Sequence, residues 1–366
     1  MNSVKGNIVI LSQPIRTGKT TSLMNVVSRE NSDQIYDGII CPDIAGTRKL
    51  LFIAERRVVD LEIPKSEDSI AVGRFFFDKK VFEDANKYLA NLSLNVNDII
   101  IDEVGKLELN NEGFHIGVSS LVSKFSNESA SGNLILVVRD TLLSQVVDKY
   151  NLHSALICTV DEYFGANDTS VDSEVSGLIL CGGQSSRMGR DKAFIEYHAV
   201  PQYQYLRDIF HIIGLQSLIS CRANQTTLFS DNDELLIDDE KFVDAGPMSG
   251  LLSAFNKNEN HSFLLIGCDY PLLTIKHLAI LLSFKDFAYP AICFVRKSNP
   301  DILEPLVTLY HYSCREKLSE FYNSGNHSLN KFLSTINTLK IVVSDDIFLK
   351  SFDSPDDFSS FKAHFS

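Results

Sequence analysis

With 366 residues, 44% of them hydrophobic and 22% charged, the chain is long enough for about two domains with full cores. Its net charge of −13 excludes a general nucleic-acid binder, whose surface must be basic to displace counterions, and leaves room for a local cationic pocket. Seven cysteines without a Cys-x-x-Cys pair, and histidines that do not gather near them, argue against a zinc site or a disulfide framework. No apolar run approaches the ~18 residues of a membrane span, and residues 1–6 lack the apolar core of a signal peptide. A cytoplasmic protein with no membrane partner is the expectation.

Residues 7–11 read as a buried strand, and 20–29 as an amphipathic helix. Between them lies Ser12-Gln13-Pro14-Ile15-Arg16-Thr17-Gly18-Lys19-Thr20-Thr21. Gly18-Lys19-Thr20 fits the end of a P-loop, in which backbone N–H groups cradle phosphate, the lysine reaches the β and γ oxygens and the hydroxyl meets Mg²⁺. The expected nucleotide-binding set is Gly18, Lys19, Thr20 and Thr21. The usual first glycine falls at Gln13, so the strict pattern fails while the strand-loop-helix context holds. Residues 36–41 and 50–61 read as strands with a turn at Gly46, and 81–92 as a helix from the spacing of Phe82, Ala85, Tyr88 and Leu89. A further strand at 98–102 ends in Asp102-Glu103, then come a helix at 114–125 and a strand at 134–138. Asp102 is expected to hold Mg²⁺ with Thr20, and Glu103 to polarise an attacking water. A degenerate P-loop kept only as a turn, with both carboxylates capping a loop, is the competing reading.

Residues 165–176 are small and acidic without periodicity, which suits a linker between domains at 1–164 and 177–366. Strand and helix then alternate again: strands at 177–181, 216–220 and 263–267, helices near 202–213 and 249–256. Alternation of this kind predicts α/β domains with parallel sheets. The strand at 177–181 opens into Leu180-Cys181-Gly182-Gly183-Gln184-Ser185-Ser186-Arg187-Met188-Gly189-Arg190-Asp191-Lys192, a glycine-rich cationic loop suited to a polyphosphate. Asp269 follows the strand at 263–267 at the end that faces a ligand crevice, which makes it the candidate Mg²⁺ ligand; a turn-capping aspartate is the alternative. Asp238-Asp239 ends another strand, and Gly246-Pro247 opens a helix. Alone, that pair of features reads as an ordinary surface turn.

The segment Asp102-Glu103-Val104-Gly105-Lys106-Leu107-Glu108-Leu109 resembles the D-E-x-G-x-x-E-L stretch of small P-loop nucleoside-triphosphatases related to the cancer-related NTPase family. Gly38 to Pro42 and Val137-Val138-Arg139 also look like that family, so the resemblance covers residues 5–164. It implies hydrolysis of nucleoside triphosphates with broad base preference and an acidic residue, Glu108, near the site. Gln13 departs from the family pattern. Arg16, Arg48 and Arg139 each suit either a phosphate or a solvated surface.

Residues 175–360 resemble the molybdenum cofactor guanylyltransferase family, with its L-x-G-G-x-S-x-R-M-G-x-D-K, G-P-x-x-G and C-D-x-P segments in order. Glu304-Pro305-Leu306 and Ser354-Pro355-Asp356-Asp357 sit where that family has related segments. The resemblance implies a Rossmann-like nucleotidyltransferase that uses Mg²⁺ to join GMP from GTP to the terminal phosphate of molybdopterin, or molybdenum-molybdopterin. Leu180, Cys181, Gly182, Gly183, Gly246 and Pro247 would line the nucleotide, Arg187 and Lys192 would neutralise the leaving pyrophosphate, Asp269 would hold the metal, and Asp239 would contact guanosine. Gly183 and Gly246 match the guanylyl branch; cytidylyl relatives tend to have alanine and threonine there. Ser351-Phe352-Asp353-Ser354-Pro355 departs from the family's N-x-N-T-P, which bears on the acceptor. Molybdoenzyme apoproteins or other proteins of the cofactor pathway are the implied partners. Three alternatives stay open: a cytidylyl- or other nucleotidyltransferase, a GTP-sensing adaptor in the first domain, and a non-catalytic maturation scaffold.

Overall fold

The computed structural model describes residues 8–14, 17–29, 34–127, 130, 132–164, 174–182 and 191–365. It divides into two compact units, residues 1–170 and 171–366.

The first unit carries strands β1 (Ile8–Gln13), β2 (Tyr36–Ile40), β3 (Asp43–Ile44), β4 (Thr47–Phe52), β5 (Arg57–Asp60), β6 (Ser69–Val72), β7 (Phe75–Asp78), β8 (Asp98–Val104), β9 (Asn133–Arg139) and β10 (Leu156–Cys158). Its helices are α1 (Lys19–Ser28), α2 (Lys79–Ala90), α3 (Lys106–Leu109), α4 (His115–Asn127), α5 (Leu143–Tyr150) and α6 (Val160–Phe164). The sheet runs β10-β1-β9-β8-β2-β4-β5, parallel from β10 to β2. Ile99, Ile100 and Ile101 of β8 and Leu134, Ile135 and Leu136 of β9 are fully buried. Unbroken apolar runs are what parallel strands covered on both faces require. The predicted helical spacing places Phe82, Ala85 and Leu89 of α2 in one core with Val118, Leu121 and Phe125 of α4. Asp78 caps α2, its carboxylate accepting from Lys80 N at 2.8 Å.

The single strand read at 50–61 is a correction. It is two antiparallel strands, β4 and β5, turned at 53–56 with Arg56 in the left-handed region. No glycine or proline marks that turn, so the apolar alternation hid it. The first sheet therefore extends past its parallel strands through an antiparallel hairpin, with β4 also pairing antiparallel to β2 and β3.

The second unit carries β11 (Val175–Leu180), β12 (Ser217–Cys221), β13 (Leu235–Ile237), β14 (Ser262–Gly267), β15 (Ala291–Arg296), β16 (Asn299–Tyr310) and β17 (Thr338–Val343). Its helices are α7 (Gln202–Ile212), α8 (Pro247–Lys257), α9 (Ile275–Leu282), α10 (Arg315–Asn323), α11 (Leu329–Thr335) and α12 (Pro355–Phe365). The order is β17-β15-β16-β14-β11-β12-β13. Strands β13, β12, β11 and β14 are parallel, and β16 is antiparallel to both β14 and β15. This sheet too is mixed, its four parallel strands continued by the antiparallel β16. Phe255, Phe263, Leu265 and Phe332 lie at the centre of its core.

From β11 the chain moves outward to β12 and β13 on one side, then returns to β14 on the other. The crevice outside the carboxyl ends of β11 and β14 is thus a topological switch point, where open α/β sheets bind ligands. Among the described residues, no helix is long and apolar enough to cross a membrane.

Candidate active sites

In the first unit, β1 delivers Gln13 and Pro14 to the phosphate loop; Ile15 and Arg16 lie outside the described residues. Gly18, left-handed at φ 81°, turns the chain into α1. Lys19 folds back over the loop, its Nζ donating to Gln13 O at 3.0 Å and Pro14 O at 2.7 Å. Gln13 stands where a glycine was expected, and its side-chain oxygen accepts from Val160 N at 3.1 Å, tying the strand end to α6. Thr20 donates through Oγ1 to Asp102 Oδ2 at 3.0 Å, while Thr21 beside it is exposed.

Asp102 is buried at the end of β8 and also accepts from Cys41 N at 3.1 Å. Burial pushes its carboxyl up to about 6; the Glu103 charge adds to this, and the bonds from Cys41 and Thr20 oppose it. The folded chain therefore holds the Asp102 proton more tightly than the unfolded chain does. Its contribution to stability falls as pH rises from the unfolded value of about 3.9 through 6. Because Glu103 N also donates to Asp102 Oδ1 at 3.0 Å, an amide there would meet a second donor, so the expected signature of Asp102→Asn is a trend: its melting temperature relative to the parent should rise as pH goes from 4 to 7.5. A melting series across that range checks this, and a difference that does not change with pH would refute it.

Glu103 follows in the left-handed region at φ 63°, where the β8–β9 register shifts between Ile101 and Val104. Arg48 Nη1 reaches its Oε1 at 3.2 Å and Arg139 Nη2 its Oε2 at 3.0 Å. The two arginines that sequence treated singly thus converge on one carboxylate. Glu108 is buried and closes the loop after β8, accepting from Gly105 N at 2.8 Å and Phe114 N at 2.9 Å.

In the second unit, β11 ends at the crevice with Leu180, Cys181 and Gly182; Gly183 and Arg187 lie outside the described residues. Cys181 N donates to Ser220 O at 2.9 Å. Gln225 donates to Cys181 O at 3.2 Å and to the Asp191 carboxylate at 2.5 Å. Asp191 in turn caps the turn that carries Lys192, accepting from Ala193 N at 3.2 Å. Lys192 Nζ stands 4.0 Å from Asp269 Oδ2, so residues 77 positions apart (269 − 192) share one site.

Asp269 is held from two further sides. Ser351 Oγ donates to Oδ2 at 2.7 Å, and Phe352 N donates to the Asp269 carbonyl at 2.8 Å. Ser354 and Asp357 form a capping box at the start of α12, with Ser354 N reaching Asp357 Oδ2 and Asp357 N reaching Ser354 Oγ, each at 3.2 Å. That cap fixes the 351–354 segment beside Asp269. Neighbouring Tyr270 donates its hydroxyl to Glu304 Oε1 at 2.6 Å, and burial raises the Glu304 carboxyl.

Gly267 makes room for this carboxylate, since a Cβ there would stand 2.6 Å from Asp269 Oδ1 and 3.4 Å from Leu306. Gly267→Ala should displace the Asp269 carboxylate and slow any reaction that depends on it by about tenfold or more, as small misplacements of reacting groups do. Steady-state rates compared with matched melting curves test this; an unchanged rate in a folded variant would sink it.

Two adjacent carboxylates behave differently. Asp238 accepts from Ser220 Oγ at 2.6 Å and lies against Gly182, whose Cβ position is 3.1 Å from Asp238 Oδ2; burial raises its carboxyl. Asp239 caps the turn that follows, accepts from Lys241 N at 3.2 Å, pairs with Lys241 Nζ at 3.0 Å and is 38% exposed. The structure thus brings Asp238 to Gly182 and directs Asp239 to its own turn. Gly246, at φ 56° and ψ −132°, adopts a conformation that L residues rarely reach, and Pro247 then starts α8. All seven cysteines are free, and Cys181 and Cys268 approach to 3.4 Å between sulfurs.

Among the described residues, no group of three or more His, Cys, Asp and Glu gathers as a metal cage. Each site offers one carboxylate beside hydroxyl oxygens, a hard and incomplete donor set. That set fits Mg²⁺, which takes one or two carboxylates and completes its shell with phosphate and water. Sequence reasoning missed Gln225 and gave no role to Asp238, Asp191 and Ser351, which it named only as a strand end, a loop residue and part of the departing 351–355 segment. The capping Asp before Lys192 was the one legible signal; the others depend on strands brought together by the fold.

Residues 177–340 match the model of the MobA-like NTP transferase domain, and residues 8–162 match the model of an NTPase. A probable molybdenum cofactor guanylyltransferase of Halalkalibacterium halodurans is 28% identical over 165 residues, 44% of this chain and 83% of that protein. A molybdenum cofactor guanylyltransferase of Yersinia pseudotuberculosis is 29% identical over 168 residues, 46% of this chain and 84% of that protein. A molybdenum cofactor biosynthesis bifunctional protein of Synechocystis is 29% identical over 203 residues, 54% of this chain and 56% of that protein.

Proposed function

From a chain that carries a MobA-like NTP transferase domain behind an NTPase domain, we propose a two-site nucleotide enzyme. The second unit transfers GMP from GTP to the terminal phosphate of molybdopterin or molybdenum-molybdopterin. The first unit binds nucleoside triphosphates and hydrolyses them. The observation that carries the transfer reading is the meeting of Lys192 and Asp269 at the switch-point crevice.

In the transfer, an oxygen of the pterin phosphate attacks the α-phosphorus of GTP. The bond from that phosphorus to the bridging oxygen breaks, and pyrophosphate leaves with the electron pair. No nucleophilic side chain is needed, so the protein contributes positioning and charge. Lys192, fixed by Asp191 and Gln225, neutralises charge on the departing phosphates, with Arg187 in the same loop as a second cation. Asp269, steadied by Ser351, would hold Mg²⁺; in the first unit Thr20 and Asp102 would do so. When bound, the metal offsets charge on phosphate oxygens. The backbone of Leu180 to Gly182 and of Gly246-Pro247 lets the nucleoside approach closely. For the base, Asp238 is better supported than Asp239, because a carboxylate beside Gly182 can accept from guanine N1–H and N2–H together, whereas cytosine offers its pairing edge a single amino donor beside acceptors.

The test is direct. The purified chain is supplied with GTP or CTP, Mg²⁺ and molybdenum-loaded molybdopterin, and the products are separated and weighed by mass spectrometry. The guanine dinucleotide is expected. A cytosine dinucleotide would overturn the base assignment, and no dinucleotide from either would leave the scaffold reading.

A further inference from the structure

We propose that Arg48 and Arg139 read the γ-phosphate of a nucleoside triphosphate in the first unit, and that their transfer to it frees Glu103 to act on water. This rests on the proposal that the first unit binds nucleoside triphosphates.

The placement comes from the sheet. Arg139 closes β9 directly opposite Gln13, the last residue of β1 before the phosphate loop. Arg48, on β4, donates through Nη1 to Cys41 O at 2.9 Å, and the Cys41 N–H holds Asp102, which holds Thr20. Both guanidinium groups therefore stand at the rim that carries the loop and the metal-binding pair.

In this state Glu103 is occupied. One of its oxygens faces Arg48 and the other Arg139. A carboxylate with an arginine on each oxygen is poorly placed to take a proton from water. Two guanidinium groups against one carboxylate nonetheless leave the three-residue cluster one net positive charge, which the neighbouring Asp102 partly offsets. Its members are 29%, 39% and 31% exposed, for Arg48, Arg139 and Glu103, so an incoming anion can reach them. A terminal phosphate offers more charge and more oxygens than a carboxylate, and the guanidinium fork matches it well. A diphosphate has no γ-phosphate to reach this rim and leaves the clamp closed.

The backbone of Glu103 adds an independent sign. A non-glycine residue at φ 63° beside a register shift is a conformation its surroundings must enforce. A purely structural ion pair between β4, β8 and β9 needs no such turn. Once released, Glu103 takes a proton from water, the water oxygen bonds to the γ-phosphorus, and the bond to the β–γ bridging oxygen breaks. The diphosphate leaves with that electron pair.

The test uses the full chain with Mg²⁺ and two probes, the β,γ-imido analogue of ATP and ADP. Binding that persists in Lys19→Ala is subtracted as not belonging to the first site. Arg48→Ala and Arg139→Ala should each weaken the analogue by about tenfold or more, the scale of a lost charge-assisted contact, and leave ADP within about twofold. Glu103→Gln should bind the analogue more tightly than the parent while losing phosphate release from ATP. Equal losses for analogue and ADP, or no gain in Glu103→Gln, would overturn the proposal and leave a structural salt bridge. If an alanine variant does not fold, Arg48→Lys and Arg139→Lys replace it; they keep the charge without the fork and should also lose preference for the analogue. A parent chain with no Lys19-dependent binding of either probe would instead refute the nucleotide reading on which this rests.

Discussion

Asp269→Asn is expected to leave the second unit folded and to lower nucleotidyl transfer by on the order of 10²–10³-fold, the scale of removing one preorganised electrostatic group. The fold should survive because the surrounding bonds do not need the charge. Ser351 can still donate to the amide oxygen, and Phe352 N still meets the backbone carbonyl. What disappears is a negative charge at the carboxyl end of β14, 4.0 Å from the Lys192 amine. Without it the site loses its proposed hold on Mg²⁺ and the counter-charge that positions Lys192. Ser351→Ala should show a smaller effect, since it removes one neutral donor and leaves the carboxylate. Initial rates at saturating GTP and varied Mg²⁺ separate the two. A folded Asp269→Asn chain that transfers within tenfold of the parent would mean that the metal is held elsewhere.

Lys19→Ala should lower phosphate release from ATP by about 10²-fold or more, given the role of such cations at transferring phosphates. The present geometry says why the loss should be functional. The amine now contacts only carbonyls of its own loop in the described structure, Gln13 O and Pro14 O. Those bonds keep the cation at the loop mouth, where phosphate oxygens would replace them under the proposed function. Removing the amine exposes two carbonyls near solvent, which costs little, so melting should move by no more than a few degrees. Phosphate release measured against melting curves tests this. Retained release would show that the loop around Gln13 does not act as a phosphate cradle.

Much of the fold was legible because local rules and global packing agree. The isoleucine run of β8 and the leucine and valine run of β9 allow only buried strands, and the spacing of Phe82, Ala85 and Leu89 allows only one buried helical face. The hairpin of β4 and β5 was not legible, because its turn at 53–56 carries neither glycine nor proline. The later strands β15 to β17 were not legible either. Strand β16 reaches antiparallel to both neighbours, a pairing no local pattern encodes.

For the sites, the chain alone determined the two cationic glycine loops and the carboxylates that end apolar strands, since each is a strand-to-loop transition written in adjacent residues. Only the tertiary structure decided which groups meet. It set Lys192 beside Asp269, Ser351 against that same carboxylate, Asp238 against Gly182, and Arg48 and Arg139 on the two oxygens of Glu103. Those contacts join residues from separate strands, and their distances follow from strand order and register. Neither can be read from the spacing of residues along one chain.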